Sequence, residues 1–199
     1  MNHLWKALFI ALLVGASALV LWLLFHKKPA PQNKGEMLSR AIPLQEDGRY
    51  DEAVNTIQTW LNDDGHNTPH DCFLFEQIAM IYIKKAYKKP QTKEESVQKA
   101  EASLDKALSI YGEKPPEQFD LEFFEIGGVF EILGDLSSRD NCRLYERARQ
   151  ALNRQLPLIE GDTYTAYGRV IPLEPVRKEV RKHLDATNEK YASAGCQTN

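Results

Sequence analysis

The sequence predicts an all-α protein: one N-terminal transmembrane helix, then a short stack of about three helical hairpins, then a C-terminal capping helix. Three observations support this fold class. Residues 7–25 form a run of 19 residues without a charge. Apolar residues recur at spacings of three and four through much of residues 36–156, as on the buried face of a helix. Turn dipeptides such as Asp47-Gly48 separate these helical stretches.

The N-terminal segment, residues 1–28, is predicted to anchor the chain in a membrane. As a helix, its apolar run from Ala7 to Phe25 would span about 28 Å, close to the roughly 30 Å thickness of the hydrocarbon layer. A cleaved signal peptide is the alternative, because Ala16-Ser17-Ala18 resembles a cleavage site. Cleavage there would leave a strongly apolar start, so we expect an uncleaved anchor that contacts the lipid bilayer through residues 7–25.

Basic residues around this run favour a single-pass protein whose soluble domain is cytoplasmic. Lys6 precedes the run, whereas Lys27 and Lys28 follow it closely, and the more basic flank stays on the cytoplasmic side. An extracytoplasmic domain is the alternative. Small residues at helical spacing would also let two membrane helices approach closely, as in a homodimer, although such residues are common in membrane helices. These are Ala7, Ala11, Gly15 and Ala18.

Charge and cysteine usage restrict the classes of function. Without the three lysines before residue 29, the chain has 22 basic and 28 acidic residues. This excess of acid disfavours a nucleic-acid partner, because neutralising phosphates requires clustered Lys and Arg. The cysteines, Cys72, Cys142 and Cys196, are odd in number and far apart, so no disulfide framework is expected.

Two short helices, over residues 36–46 and 51–62, are expected after a semi-extended linker at residues 29–35. Gly48 allows the tight turn between them, since glycine tolerates a positive φ. The small Ala53 would let the two helices approach closely. Together they form an αα-hairpin with an apolar face left to bury.

This first hairpin resembles a tetratricopeptide repeat. That family has a small residue in its first helix, Gly-x-Tyr at the turn, and Ala followed by an apolar pair in its second helix. The matching residues here are Ala41, Gly48, Tyr50, Ala53, Ile57 and Trp60. Two positions depart from the pattern: Trp60 stands where the family prefers Ala, and Arg40 replaces an apolar residue.

Two weaker units extend the resemblance over residues 36–156. The second unit, around residues 75–115, has either extended helices or an inserted loop in place of the usual short turn. The third unit covers residues 119–156, and there Gly127-Gly128 is expected to permit close helix packing.

A C-terminal cap is expected to end the stack, because such arrays need a polar outer face. Residues 174–192 have the spacing of this capping helix. Residues 157–173 are predicted to form an irregular loop with extended stretches, and residues 193–199 a flexible tail.

The resemblance implies a concave groove lined by the first helices of successive units, where a peptide or helix of another protein would bind. The groove residues, carried over by position, are Leu38, Ile42, Phe73, Glu76, Met80, Ile83, Leu121, Phe124 and Glu131. The alternative is that the C-terminal helix fills this groove itself. Some family members clamp the C-terminal carboxylate of heat-shock chaperones with Lys, Asn and Arg. Four of the groove positions lack such donors, so we expect no binding of that kind.

No motif demands catalysis, a metal or a cofactor. The segment HNTPHDC, residues 66–72, has metal-capable side chains but falls where a turn between repeats is expected. The acidic residues Glu122, Glu125, Glu131 and Asp135 are interpreted as a solvated face rather than a general acid–base pair.

We therefore predict a non-enzymatic scaffold or tether at a membrane. The alternative is an accessory subunit that packs into a larger complex through its membrane helix and has no free groove.

Overall fold

A computed structural model describes residues 33–62, 72–112, 122–166 and 169–196, with the backbone alone at residues 122–124, 164–166, 169 and 171. The helices are α1 (Lys34–Glu46), α2 (Tyr50–Leu61), α3 (Cys72–Lys88), α4 (Lys93–Tyr111), α5 (Glu122–Leu136), α6 (Asn141–Gln155) and α7 (Leu173–Ser193). Short 3-10 turns follow α3 (Pro90–Thr92) and α6 (Leu156–Ile159). An antiparallel hairpin of β1 (Thr163–Ala166) and β2 (Arg169–Pro172) precedes α7.

The described part of the chain confirms the predicted all-α class, to which the short β-hairpin is an addition within the expected irregular loop. The first two helices and the capping helix lie within two residues of their predicted bounds. Gly48 has a φ of 75°, so the turn between α1 and α2 uses the conformational freedom for which glycine was expected there.

The chain divides into two compact units, residues 1–36 and 37–199. Within residues 33–36, the Asn33 side-chain oxygen accepts a 2.9 Å hydrogen bond from the Glu36 N–H and caps the start of α1. The predicted anchor, with its four small residues, lies outside the described residues. Within the described ranges, no helix has the length and apolar content that crossing a bilayer requires.

Within residues 37–199, α3 and α4 run antiparallel. Cys72 at the start of α3 has its Sγ 3.8 Å from the carbonyl oxygen of Ala107 near the end of α4. The α5–α6 pair also packs closely, and α7 packs against α6. Successive hairpins stack in the same direction, because Glu101 of α4 bonds Arg143 near the start of α6 and Asp105 bonds Arg147 one turn later.

The enlarged second unit consists of long helices and has no inserted loop. α3 has 17 residues and α4 has 19, against 13 and 12 for α1 and α2. Only Lys89 and the 3-10 turn at Pro90–Thr92 separate α3 from α4. The additional residues of this unit therefore lie within its two helices.

The core is one main cluster of apolar side chains from α1 to α6, with a smaller one beneath α7. Ala53 is fully buried in the main cluster. We expected α2 to pack closely against α1, but its close neighbour is α3. Gly127 confirms the predicted close packing in the third unit, since an added Cβ would lie 2.7 Å from Leu152 Cγ. Gly128 does not take part, because its Cβ would meet nothing within 4 Å.

The expectation that no cysteines pair was wrong. Cys142 and Cys196 form a disulfide between Cα atoms 5.5 Å apart, although 54 positions separate them in sequence. The antiparallel packing of α6 and α7 brings the start of one helix beside the end of the other, which sequence spacing cannot show. The expected flexible tail is thus tied down as far as Cys196, whereas Cys72 is buried and takes no part in the disulfide.

Candidate interaction surface

The residues expected to line the groove separate into exposed, half-buried and buried groups. Ile42 of α1 and Met80 of α3 are 50% and 39% exposed, a high value for large apolar side chains. Leu38 and Phe73 are half-buried against the main core. Leu121 lies outside the described residues, and Phe124 is described only as part of the α5 backbone.

Three of the expected groove residues are buried: Glu76, Ile83 and Glu131. A buried side chain cannot present its surface to a partner without rearrangement. The carry-over by position missed the burial of Glu76 and Ile83 because the long α3 helix packs on α2, α4 and α5 together and is covered on more sides. Two of the nine positions, Ile42 and Met80, therefore offer exposed apolar surface in the described part.

Glu131 on α5 is covered by the C-terminal helix. Lys190 Nζ lies 2.6 Å from its carboxylate, and the Thr187 hydroxyl and the His183 Nδ1 lie at 3.3 and 3.4 Å. At Glu131, a position expected to line the groove, the C-terminal helix therefore lies over the surface. This agrees with the alternative in which that helix covers the groove itself.

Of the acidic residues expected to form a solvated face on α5, Glu125 and Asp135 are exposed and Glu131 is buried, so the expectation was wrong for Glu131. Lys190 also bonds Asp135 at 2.6 Å, and Asp135 accepts a 2.9 Å hydrogen bond from the Tyr145 hydroxyl. Burial and this hydrogen bond raise the pKa of Tyr145 to about 12. Burial opposes the charge on Lys190, but its bonds to Asp135 and Glu131 prevail and raise its pKa. These carboxylates hold α7 in place.

The inward face of α7 changes character along its length, and this pattern is visible in the sequence. Val176 and Val180 pack in the small core cluster. The same spacing of three and four continues with His183, Thr187 and Lys190, which meet the carboxylates of α5. This change from apolar to polar residues along one face of α7 was the sequence signal for a polar partner such as Glu131 beneath it.

A second charged network joins the two large hairpins. Arg143 and Arg147 of α6 both bond the buried Glu101 of α4. The guanidinium carbon of Arg147 also lies 4.3 Å from the centre of the Phe130 ring. The hydrogen bond from Arg143 lowers the pKa of Glu101, and burial offsets part of that effect. The network holds α4 against α6.

The described residues contain no group of three or more His, Cys, Asp or Glu side chains that could hold a metal ion. Of the segment HNTPHDC, only Cys72 is described, and it lies buried at the start of α3. An open concavity of about 500 Å³ runs along the outer face of α7. Its lining residues are Glu174, Lys178, Arg181, Lys182, Asp185, Ala186 and Glu189.

The expected groove surface thus retains two exposed apolar side chains, Ile42 on α1 and Met80 on α3. Helix α7 covers the third unit at Glu131, and the charged networks join helices to one another. No known protein-family model matches this chain, and no curated protein has significant sequence similarity to it.

Proposed function

We propose that this chain is a membrane-anchored repeat protein of the tetratricopeptide type that binds a segment of another protein and acts as a scaffold or tether. The observation that carries the proposal is the exposure of Ile42 and Met80. They stand on the first helices of two successive units, where the family resemblance puts a binding groove, and Met adapts readily to a partner surface.

The geometry of the repeats supports this proposal. Helices that alternate in direction, with successive hairpins stacked the same way, bury a continuous core only by stacking. The long α3 and α4 helices give the second unit a larger side surface than the first. Because α7 covers Glu131, the groove would be confined to the first two units and would accept a short segment.

Photo-cross-linking in intact membranes tests the groove. A photoreactive amino acid replaces Ile42 or Met80 in the full-length chain, and Gln58, exposed on α2, serves as the control position. The proposal requires that positions 42 and 80 capture the same protein and that position 58 does not. Identical products at all three positions, or none at 42 and 80, would contradict a groove on α1 and α3.

The covering of Glu131 by α7 favours a second candidate, an accessory subunit that enters a larger complex through its membrane helix. Exchange of residues 7–25 for an unrelated transmembrane sequence separates the two candidates. A scaffold keeps its cross-linked product at positions 42 and 80 after the exchange, whereas an accessory subunit loses its partner. Alkaline carbonate extraction tests the anchor itself, since release of the intact chain would exclude an integral membrane protein.

The disulfide favours the extracytoplasmic alternative for the soluble domain, opposite to the side favoured by the flanking lysines. Disulfides persist in oxidising compartments and are rare in the cytosol. We therefore propose that Cys142 and Cys196 face an oxidising compartment. Alkylation of acid-quenched whole cells tests this: both thiols should react with a maleimide only after reduction. Reaction of both without a reductant would place the domain on the cytoplasmic side.

A further inference from the structure

The turn end of the α3–α4 hairpin is strongly basic, although the domain as a whole is acidic. Residues 77–93 contain five lysines and no Asp or Glu. The basic tip comprises four of these lysines, Lys84, Lys88, Lys89 and Lys93, with Tyr87 between them. Because only a short 3-10 turn separates α3 from α4, these residues are grouped at one end of the hairpin.

The fifth lysine, Lys85, belongs to the interior of the fold. It is buried and donates hydrogen bonds of 2.7 and 2.9 Å to the two carboxylate oxygens of Asp51. This contact lowers the pKa of Asp51, although burial opposes the shift. The pair joins α2 to α3, so neither side chain is free to engage a ligand.

The two carboxylates that directly follow the basic tip in sequence already have other partners. Glu95 bonds Lys99 at 2.5 Å, and Glu94 accepts a hydrogen bond from the Ser138 hydroxyl at 3.1 Å. Within the described ranges, none of the four tip lysines has a carboxylate within 4.0 Å. No carboxylate of the described residues therefore neutralises the positive charge of the tip by direct contact.

The contacts that the tip does make are weak. Lys89 Nζ lies 3.4 Å from the Gly48 carbonyl oxygen and 5.4 Å from the centre of the Tyr50 ring. Residues 87–91 are all exposed, and Tyr87 is 60% exposed. An aromatic ring with a polar hydroxyl, placed among lysines, suits the boundary between lipid headgroups and water.

We propose that the basic tip docks on the phosphate headgroups of an anionic membrane surface. Anionic lipids attract clustered lysines near a bilayer, and the attraction needs no shaped pocket. Four separate lysine ammonium groups match a fluid layer of phosphates better than one rigid acidic partner, for which Arg would give directed contacts. The inference rests on the proposed membrane anchor, which would keep the tip close to a bilayer.

Lysine acetylation measured by mass spectrometry tests this docking with the full-length chain in lipid vesicles. One set of vesicles contains phosphatidylglycerol with phosphatidylcholine, and the other contains phosphatidylcholine alone. Lys106 of α4 and Lys178 of α7 are exposed and serve as controls within the same molecule. The tip lysines should lose reactivity several-fold in the anionic vesicles only and regain it near 1 M salt, where charges are screened beyond about 3 Å. The two control lysines should not change.

Vesicle flotation in the same samples separates the two proposals. If the chain floats with both vesicle types but the tip lysines stay reactive, the docking proposal is overturned and the anchor stands. Flotation with neither type removes both proposals. Flotation with anionic vesicles only, with protected tip lysines, removes the anchor and keeps the docking. Protection by added polyglutamate but not by anionic vesicles would make the tip an acidic-protein site and overturn the proposal.

Discussion

A single methyl group added at Gly127 probes the contact between α5 and α6. A Cβ at this position would lie 2.7 Å from Leu152 Cγ and 2.9 Å from Leu152 Cδ2. The optimal separation of two non-bonded carbon atoms is about 3.5–4.0 Å. Leu152 is fully buried, so its side chain has no solvent to move into. The contact must therefore open by roughly 1 Å, or Leu152 must adopt a strained rotamer.

Two opposing effects determine the stability of Gly127→Ala. Overpacking in a core typically costs about 1–3 kcal/mol. Replacing Gly by Ala inside a helix gains about 0.5–1 kcal/mol, because the unfolded chain loses less freedom on folding. The neighbouring Gly128→Ala has the same gain without the clash. The two variants should therefore differ by about 1–3 kcal/mol, with Gly128→Ala at or above the wild type.

Thermal unfolding of the two full-length variants in the same detergent measures this difference. For a chain of this size, 1 kcal/mol corresponds to about 2–4 °C in Tm. Gly127→Ala should melt below Gly128→Ala by at least a few degrees. Equal melting temperatures, or a lower one for Gly128→Ala, would refute the close approach of the two helices at Gly127.

Three further predictions concern the cap and the first hairpin. Removal of the disulfide by Cys142→Ser with Cys196→Ser should cost about 4 kcal/mol in the chain-entropy treatment of a 54-residue loop, measured as a lower midpoint in urea. The raised pKa of Tyr145 stabilises the fold below pH 10, and this contribution should be lost as the pH rises from 10 towards 12. Tyr145→Phe should therefore show a smaller loss over that pH range. Ala53→Leu should destabilise the fold by about 1–3 kcal/mol, because Ala53 is fully buried.

Each of these predictions has its own control. Cys72→Ser leaves the disulfide in place, so a reductant should still lower its urea midpoint. The double variant should show no such effect of reductant. An alkaline stability curve of the same shape in Tyr145→Phe would show that another group controls it. Gln58→Leu adds apolar bulk to the exposed face of α2 and should change stability little. If it matches Ala53→Leu, the assigned buried face of α2 is wrong.

Local features of the fold were predictable because they depend on neighbours in sequence. The faces of α1 and α2 follow from the spacing of their apolar residues, and Gly48 signals the turn by its tolerance of a positive φ. Gly127 and Gly128 look identical in sequence, yet only Gly127 meets α6. That distinction depends on how one helix is rotated against another, which a run of two glycines cannot specify.

The parts of the candidate surface that sequence missed depend on contacts between distant residues. Glu131 and Lys190 are 59 positions apart and meet because α7 stacks beside α5. Periodicity assigns a carboxylate to a face of its helix but does not say what covers that face. The cysteine pair was missed for the same reason. The exposure of Ile42 and Met80 agrees with the groove hypothesis, whereas the burial of Glu76 and Ile83 follows from the crowding of α3.

The bond between Cys142 and Cys196 also decides how the molecule would carry a mechanical load. A pull applied beyond residue 196 passes through the sulfur atoms to the start of α6 and bypasses all of α7. The segment between the two cysteines, which are 54 positions apart, then carries no tension. Its length when fully extended, about 190 Å, cannot add to the extension of the chain until the disulfide is reduced. A tether built in this way would extend in two steps of different length, depending on its oxidation state.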